Sequence, residues 1–400
     1  HQAALLNGRQ ASDDRRVVGV GGGALGSQVV LNAARAAFGL WTLVDRDRLL
    51  PHNLARHGIA GFGTGYHKVN VLAVAANALT DGPAAFESIV ADVLKPGPES
   101  ERLAERFGSA DLVLDMAASI PVSRYLAHDA PGVARRVSFF LNPVGTDLVM
   151  LAEDGRRETR LDALEMQYYR AVLRDGRLRD HFRQPDRGMR YGTSCRDVSS
   201  RLPQAQVALD AAIAARRLPH LADHDEAAIR IWQASERTDD VIALDVAPRT
   251  VTRQAAGDWT VVYDDGLVET IVGLRHARLP NETGGILLGA FDVERRIVYV
   301  VDTISSPLDS QERTTLYIRG VEGLHERLED AQKRTFGQLE YVGEWHSHPD
   351  GCACMPSRDD LTVLSWLSSH MDADGVPGVM MIACEGAAFT VLLAEVFTHR

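Results

Sequence analysis

The 400-residue sequence contains few cysteines, few aromatic residues and no long apolar run. Its four cysteines, at positions 195, 352, 354 and 384, are too sparse for a disulfide framework in a chain of this length and favour a reducing compartment. No apolar run reaches the ~20 residues that cross a bilayer, and the opening HQAALLNGRQ lacks a basic-then-apolar signal pattern. We therefore expect a cytoplasmic protein that does not enter a membrane.

The chain also lacks a concentrated basic segment. Its 43 basic and 54 acidic residues give a net charge of −11. This argues against nucleic acid as the main partner and favours small proteins or nucleotides. The length predicts roughly two or three domains. The first residue is histidine rather than methionine, as expected of a piece of a longer polypeptide.

A dense polar segment, GEWHSHPDGCACMPSRDD, occupies positions 343–360 behind an apolar run. His346 and His348 alternate along a predicted strand, so both imidazoles should leave the same face. Ser357 and Asp360 form a capping signal for a following helix, which explains those two residues but neither histidine. Two imidazoles and a carboxylate returned by the helix have the stoichiometry of a catalytic zinc site with one open position.

Two further features bear on such a site. Cys352 and Cys354 offer a thiolate alternative, but their C-x-C spacing lacks a second cysteine pair nearby, and we interpret both as loop residues.

A hydrolytic zinc also needs a base for its water. Glu282 stands at the mouth of the apolar strand NETGGILLGAF, whose glycines allow close backbone approach.

Together these residues resemble the JAMM motif of the JAB/MPN/Mov34 metalloprotease family: a glutamate beside a strand, then H-x-H-P, seven residues and S-x-x-D. The match covers about the last third of the chain. The resemblance implies that His346, His348 and Asp360 hold Zn²⁺. It further implies that Glu282 hydrogen-bonds the zinc water and shuttles its proton, and that Ser357 helps to stabilise the oxyanion. Family substrates are isopeptide or peptide bonds at the C-terminus of ubiquitin or a ubiquitin-like protein.

The N-terminal part opens with a β-α-β pattern, RRVVGVGGGALGSQVVLNAARAAFGLWTLVDRD. Gly21, Gly23 and Gly26 fit G-x-G-x-x-G, which lets the backbone approach phosphate at a helix N-terminus. Asp45 lies nineteen residues after the last of these glycines, where an acid can bind ribose hydroxyls. Taken alone, this unit favours a nicotinamide-dependent dehydrogenase.

Polar residues downstream of Asp45 change that interpretation. A hydride-transfer enzyme has no use for cations and further acids at the phosphate end of its nucleotide. An enzyme that attacks the α-phosphate of ATP needs cations for a pentavalent phosphate and acids for magnesium. The residues in question are Asp47, Asn53, Arg56, Lys68 and Asp115. They resemble the ThiF/MoeB/ubiquitin-activating enzyme superfamily, whose pattern is G-x-G-x-x-G, D-x-D, N-L-x-R, a downstream lysine and a strand-end aspartate.

This second resemblance covers about the first 150 residues well. It implies a site for ATP and Mg²⁺ built from the glycine loop, Asp45 and the residues just named, and a homodimer formed through the first domain. The sequence departs from the superfamily at Ala118, where relatives usually carry a second acid for magnesium. Either Asp115 substitutes for that acid, or metal binding and adenylation are weak.

Cys195 is the remaining candidate for chemistry. It precedes an alanine-rich helix and lies near Arg190 and Arg196, and nearby cations favour a thiolate. The first alternative is a half-buried free cysteine, the common fate of this residue. The second, implied by activating enzymes, is a nucleophile that forms a thioester.

Residues 243–259 interrupt the regular patterns, and we place a domain boundary near residue 250. We therefore expect a ThiF/ubiquitin-activating-enzyme-like adenylation domain over 1–250 and a JAB/MPN metalloprotease domain over 251–400. The predicted fold is α/β throughout. A Rossmann-like ATP-binding domain is followed by a JAB/MPN domain of the cytidine-deaminase-like type with a helix-flanked mixed sheet.

One half is thus predicted to activate a carboxyl terminus and the other to cut after one. In the first hypothesis, of the bacterial ubiquitin-like conjugation type, ATP adenylates the C-terminal glycine of a ubiquitin-like protein and Cys195 captures it for a conjugating enzyme. The zinc site then trims the precursor or removes conjugates. The second hypothesis is activation and processing of a sulfur carrier. In the third, the nucleotide half is a binding module that presents the ubiquitin-like protein to the protease.

Overall fold

A computed structural model describes residues 2–8, 11–80, 83–183, 189–190, 198–199, 202–235, 238, 240–371 and 375–394. The chain forms two compact units. The first comprises His1–Glu165 and His181–Pro248, and the second comprises Met166–Asp180 and Arg249–Arg400. Among the helices in the described ranges, none combines the length and apolarity that a membrane crossing requires.

The first unit is an eight-stranded sheet flanked by helices. Its helices are α1 (Gln2–Leu6), α2 (Ala24–Arg35), α3 (Lys68–Asn77), α4 (Ser100–Ser109), α5 (Ile120–His128), α6 (Leu161–Arg174), which ends in the second unit, and α7 (Gln204–Asp223). Its strands are β1 (Asp13–Val20), β2 (Phe38–Val44), β3 (Phe86–Ile89), β4 (Leu112–Asp115), β5 (Arg135–Leu141), β6 (Asp147–Ala152), β7 (Met189–Arg190), β8 (Val198–Ser199), β9 (Ala228–Ala234) and β10 (Val241–Val246). Strands β7 and β8 pair separately from the main sheet.

The strand order of this sheet places the nucleotide motifs together. The order is β10-β9-β6-β5-β4-β1-β2-β3, and the five strands from β5 to β3 are parallel. The chain runs outward from β1 to β3 and then crosses to β4 on the other side of β1. Doubly wound sheets bind ligands at such a reversal, beyond the carboxyl ends of the strands. The predicted Rossmann-like arrangement is confirmed.

Apolar spacing explains why the first β-α-β segment folds in this way. Helix α2 buries Val29, Val30, Ala33 and Ala34 on one face, and these side chains share a core cluster with Trp41 of β2. The spacing is that of a helix that covers a sheet. Burying each of the larger side chains stabilises the fold by about 1.5–3 kcal/mol. The helix that carries the glycine loop is therefore held firmly on the sheet.

The second unit is a seven-stranded mixed sheet with helices and a separate hairpin. Its elements are β11 (Val251–Ala256), β12 (Trp259–Asp264), α8 (Asp265–His276), β13 (Gly284–Asp292), β14 (Ile297–Ser305), β15 (Gln311–Arg313), β16 (Leu316–Ile318), α9 (Leu324–Arg334), β17 (Glu340–Ser347), α10 (Arg358–Met371), β18 (Gly378–Ala383) and β19 (Phe389–Ala394). The strand order is β11-β12-β14-β13-β17-β18-β19. The predicted helix-flanked mixed sheet is confirmed.

Two parts of the fold differ from expectation. Residues 243–259, predicted to interrupt regular structure, contain parts of the edge strands β10 and β11. Edge strands pair on one side only; β10 is mostly exposed and β11 mostly half-buried, so neither has a buried face that would show as apolar alternation in the sequence. The hairpin β15–β16 was not predicted either. Strands of three residues are too short for a periodic pattern to be recognised.

Candidate metal centre and nucleotide site

The candidate metal centre begins on strand β17. This strand lies between β13 and β18, and His346 pairs with Gly284 on one side and Ile382 on the other. The side chains of His346 and His348 leave the same face, as the alternation predicted, and their Nε2 atoms are 3.3 Å apart. If both nitrogens were unprotonated, their lone pairs would repel at this distance. A cation placed between them removes that repulsion.

The start of helix α10 brings a carboxylate to the two histidines. Oδ1 of Asp360 is 3.1 Å from Nε2 of His346, and Oδ2 is 3.6 Å from Nε2 of His348. The same carboxylate accepts the backbone N–H of Ser357 at 2.7 Å, while Ser357 Oγ accepts the backbone N–H of Asp360 at 3.2 Å. The helix cap and the candidate metal ligand are therefore one side chain, oriented by the capping bonds.

The donor atoms fit a tetrahedral zinc ion. His346, His348 and Asp360 each offer one atom, and these atoms lie within 4.8 Å of one another. Zinc bonds of ~2.0–2.1 Å in a tetrahedron separate neighbouring donors by about 3.3–3.4 Å, close to the separations found here. Burial tends to raise the pKa of Asp360, but hydrogen bonds from the two histidines hold that pKa far below its usual range. The carboxylate is therefore ionised and ready to bind a cation.

The loop after β17 is held by contacts outside the candidate ligand set. Nδ1 of His348 is 3.1 Å from the carbonyl oxygen of Ala353 and donates to it, so Nε2 can exchange its hydrogen bond to Asp360 for a bond from its lone pair to a metal. The buried side chain of Arg275 donates from Nε to the carbonyl oxygen of His348 at 2.9 Å and also pairs with Asp350. Sequence reasoning missed Arg275, because nothing in the helix α8 sequence marks it as a loop anchor.

Glu282 shares a cleft of about 520 Å³ with the two histidines, Ser357 and Asp360. It lies just before β13 and is half-buried. Burial raises the pKa of its carboxyl group, while the nearby histidines partly oppose that rise. A carboxyl group with a raised pKa holds a proton more readily than an ordinary glutamate does, as a group that accepts and then releases a proton must.

Gly284, the first residue of β13, lies where the neighbouring strand and the hairpin approach the backbone closely. A Cβ atom on Gly284 would lie 2.3 Å from the ring of Tyr317 and 2.4 Å from the carbonyl oxygen of Trp345. Any larger residue would therefore push β13 away from β17 or displace the hairpin beside the cleft. The expected role of the strand glycines is met at this position.

The cysteines of this unit differ from expectation. Cys354 and Cys384 form a disulfide, whereas the sequence predicted no such pairing. The two residues are 30 positions apart and meet only because β18 runs beside β17, which spacing alone does not reveal. Cys352 is a free, exposed thiol that lines the cleft. Within the described residues, the group able to offer three metal-binding atoms contains histidines and aspartate rather than thiolates.

The candidate nucleotide site is built on the loop between β1 and α2. Gly21 has φ +100°, and a Cβ there would lie 2.6 Å from the backbone of Met116. A Cβ on Gly26 would lie 2.1 Å from the carbonyl oxygen of Gly21. Gly23 immediately precedes α2 as its N-cap. The loop can therefore take its tight path only with glycine at the first and last of these positions.

The acid at the end of β2 is bound to this loop. Oδ2 of Asp45 accepts the backbone N–H of Gly22 at 2.7 Å, and Oδ1 accepts that of Asp47 at 2.8 Å. Burial raises the pKa of Asp45, although these backbone bonds and Lys68 oppose the rise. The structure thus brings together the glycine loop, Asp45 and Lys68, three parts of the predicted nucleotide site.

The remaining polar residues make contacts within the protein. Lys68 is the first residue of α3, and its Nζ is 2.8 Å from Oδ2 of Asp47. Asn53 Oδ1 accepts the backbone N–H of Leu50 at 2.9 Å, and the carbonyl oxygen of Arg56 accepts a side-chain N–H of Gln28 at 2.8 Å. The main candidate cation, Lys68, is therefore paired before any phosphate binds.

The strand-end aspartate also has internal partners. Asp115 is 1% exposed, and its carboxylate accepts the hydroxyl of Ser138 at 2.8 Å and the backbone N–H of Ala117 at 3.0 Å. Ala118 has φ +52°, a left-handed conformation that alanine adopts only at a cost. The position at which the superfamily carries its second acid is thus strained as well as uncharged in this chain.

One supporting residue was not predicted. Nε2 of His57 is 2.8 Å from the carbonyl oxygen of Gly22, and Nδ1 accepts the backbone N–H of Ile59 at 3.1 Å. These two contacts require a neutral ring with the proton on Nε2, and burial lowers the pKa of His57 in the same sense. The only sequence signal was its position directly after Arg56. Cys195, by contrast, lies outside the described residues.

Comparison with known families defines the class of protein. Residues 3–131 match the ThiF family, and residues 264–390 match the prokaryotic homologs of the JAB domain. The chain is therefore a ThiF-like adenylation domain joined to a JAB domain, and the predicted fusion is confirmed. It belongs to the prokaryotic JAB family.

Two relatives carry the same name. The chain is 34% identical over 124 residues to the CD-NTase/cGAS isopeptidase of Enterobacter hormaechei subsp. hoffmannii (strain UCI 50), which covers 31% of this chain and 67% of the relative. It is 31% identical over 105 residues to the CD-NTase/cGAS isopeptidase of Escherichia coli (strain TW11681), covering 26% of this chain and 61% of that one. The chain thus spans about two thirds of the length of these relatives.

Solved structures with some likeness to the chain include PaaA and the E. coli enzyme MccB with ATP. PaaA is 15% identical with a TM-score of 0.38, covering 57% of this chain and 63% of its own. MccB is 12% identical with the same TM-score, 0.38, covering 58% of this chain and 64% of its own. A TM-score this low supports no inference about function.

Proposed function

We propose that this chain activates the C-terminal glycine of a ubiquitin-like protein with ATP and cuts peptide or isopeptide bonds formed by that glycine. The observation that carries the proposal is the triangle of His346, His348 and Asp360 beside Glu282 in one cleft. Two relatives are named isopeptidases, which supports an isopeptide bond as the bond that is cut.

In the second unit, Zn²⁺ held by His346, His348 and Asp360 would supply a Lewis acid that activates water and polarises a carbonyl group. Glu282 would take a proton from the attacking water and pass it to the leaving amine, as its raised pKa favours. Ser357 uses its Oγ to accept the N–H of Asp360, and its hydroxyl hydrogen would be directed to the developing oxyanion.

In the first unit, ATP would bind with its phosphates on the glycine loop and its ribose at Asp45. Lys68, Arg56 and Asn53 would contact the phosphates, and Asp47 and Asp115 would serve Mg²⁺. Cys195 would then accept the activated glycine as a thioester for a conjugating enzyme. We further propose a homodimer, as in the superfamily that the first domain resembles, and a cytoplasmic location, where ATP is available.

A second candidate function is supported by the contacts of the first unit. Lys68 is paired with Asp47, Asp115 has internal donors, and Ala118 replaces an acid. These features suit a module that binds a ubiquitin-like protein and presents it to the protease without adenylation. In both candidates the metal centre has the same role, so the first unit alone distinguishes them.

The test uses the full chain and a ubiquitin-like protein that carries a short peptide after its C-terminal glycine. Cleavage should occur without ATP and stop when zinc is chelated, and zinc analysis should find one ion per chain. ATP-dependent pyrophosphate exchange with the processed protein should report adenylation. Cleavage that survives chelation would refute the hydrolase, while cleavage without exchange would favour the binding module.

A further inference from the structure

The hairpin β15–β16 forms one wall of the metal-site cleft and lies outside the seven-stranded sheet. Its strands have three residues each, and the side chains of Leu316 and Ile318 are exposed. A two-stranded hairpin is at best marginally stable in water by itself. Its position must therefore depend on contacts with the rest of the unit.

The first strand of the hairpin is attached beside the candidate base. The carbonyl oxygen of Arg313 accepts the backbone N–H of Glu282 at 2.9 Å. The hydroxyl of Thr283 donates to Oε1 of Glu312 at 2.5 Å. Strand β15 is thus connected to the segment that carries Glu282 through both backbone and side-chain bonds.

The second strand is attached by two side chains: the hydroxyl of Tyr317 donates to Oγ of Ser306 at 3.3 Å, and a stronger contact comes from Arg319, which directly follows β16. Its Nε donates to Oε2 of Glu344 at 3.2 Å, and its Nη2 donates to Oε1 at 3.0 Å. The hydroxyl of Tyr341 donates to the same Oε1 at 3.2 Å. The two charged side chains are only 20% and 13% exposed. A bidentate, largely buried ion pair of this kind is geometrically specific and stronger than an exposed pair.

Glu344 stands two residues before His346 on β17. Alternate residues of a strand share a face, and Glu344, His346 and His348 all line the same cleft. The Arg319–Glu344 pair therefore joins a short hairpin to the strand that carries His346 and leads directly into His348. The family motif does not include either residue of the pair.

We propose that Arg319 and Glu344 are a positioning pair that holds β16 as a fixed wall of the peptide-binding cleft. The proposal rests on the proposed function, because the cleft receives a peptide only if the metal centre is a peptidase. With the pair intact, the wall is ordered before the substrate binds, so the binding free energy is not reduced by the cost of ordering β16. Without it, β15 stays attached near Glu282, and β16 keeps its pairing with β15 and the hydrogen bond of Tyr317 but loses its ion pair. The wall then loosens, so substrate binding weakens and proton transfer continues.

The pair is tested first without any substrate. Arg319→Met and Glu344→Gln are compared in the full chain with Arg249→Met. Arg249 forms an exposed pair with Glu269 at 3.0 Å in the same unit, which makes it the matched control. Amide hydrogen exchange over residues 316–318 should become about tenfold faster in the first two variants and stay unchanged in the control. Zinc content should be the same in all three.

The second measurement is the cleavage of the ubiquitin-like protein with its C-terminal extension. The KM of Arg319→Met should rise about tenfold with kcat within a factor of about two, because the lost wall contacts serve bound substrate and transition state alike. Exchanging the charges, Arg319→Glu together with Glu344→Arg, should recover most of the KM and the slow hydrogen exchange, which a general loss of folding would not allow.

The outcomes separate the two proposals. A wild-type chain that cleaves no extension would overturn the proposed function. Unchanged hydrogen exchange in both single variants would overturn the role of the pair, whatever the activity. A fall in kcat at constant KM would also overturn it, since that result assigns the pair to the chemical step rather than to the cleft wall.

Discussion

The acidic residues of the two candidate sites differ in how many internal partners they have before a ligand binds. In the second unit, Asp360 faces two histidines across an open cleft, and its remaining contacts orient it. In the first unit, Asp45 and Asp115 are bonded to backbone N–H groups or a hydroxyl, and Asp47 is paired with Lys68. The metal centre is thus assembled before its ligand binds. The nucleotide site must exchange internal contacts for contacts with ATP and magnesium.

This difference has an energetic consequence. A preassembled site realises the full interaction with its ligand, because little has to move or lose a partner. When the lysine of a site is already paired with a carboxylate, binding of a phosphate contributes only the difference in free energy between the lysine–phosphate pair and the lysine–carboxylate pair. We therefore expect substitutions in the second unit to abolish activity and substitutions in the first to have graded effects.

The largest expected effect is that of Glu282→Gln. Removing a general base costs about 10²–10⁴-fold in rate, and the amide keeps the shape of the side chain. Cleavage of the C-terminal extension should fall by that factor while zinc content stays at one per chain. Asp359→Asn, an exposed neighbour of Asp360 that lines the same cleft, is the control and should cleave normally. Normal cleavage by Glu282→Gln would show that the base lies elsewhere.

A smaller loss is expected for Lys68→Ala. Lysine would contribute charge stabilisation at the transferring phosphate, and removing it should lower ATP-dependent pyrophosphate exchange by about 10²-fold. The same change leaves Asp47 without its 2.8 Å partner, so the comparison variant is Lys68→Ala with Asp47→Asn. If neither Lys68→Ala nor Asp115→Ala alters the exchange rate, the nucleotide site has been placed on the wrong residues.

A gain of a few-fold is expected for Ala118→Asp. The left-handed conformation at φ +52° suits aspartate better than alanine, so the change should not destabilise the fold. It would supply the acid that the superfamily uses for magnesium, and the magnesium concentration for half-maximal pyrophosphate exchange should fall a few-fold. The isosteric control is Ala118→Asn, which suits the backbone equally well but carries no charge. Equal effects of both changes would assign the gain to backbone strain.

The smallest effect on pyrophosphate exchange is expected for Cys195→Ala, because adenylation precedes thioester formation. The wild-type chain, given ATP and the ubiquitin-like protein, should form an adduct that survives denaturation and is released by a reducing thiol. Cys195→Ala should lose the adduct and keep the exchange rate. An adduct that persists in the variant would identify another cysteine. Exchange without any adduct in the wild type would favour sulfur transfer or a cysteine on a partner.

Much of the fold followed from local patterns. The G-x-G-x-x-G loop and the strands and helices around it could be predicted, because steric limits on the backbone and apolar spacing act over a few residues. His346 of β17 and His348 just after it could be placed on one face for the same reason, since the alternation of extended backbone is local. The motif spacing also indicated the right family for each half.

Contacts between distant segments could not be obtained in this way. The pairing of Cys354 with Cys384 depends on β18 lying beside β17, and the Arg319–Glu344 pair depends on how a short hairpin packs on the sheet. Ser357 and Asp360 were predicted as a helix cap and Asp360 also as a metal ligand, and only the tertiary structure showed that one conformation of Asp360 serves both. Local sequence specifies conformation through short-range sterics and spacing, whereas the partner of a side chain is decided by strand order, which no single segment encodes.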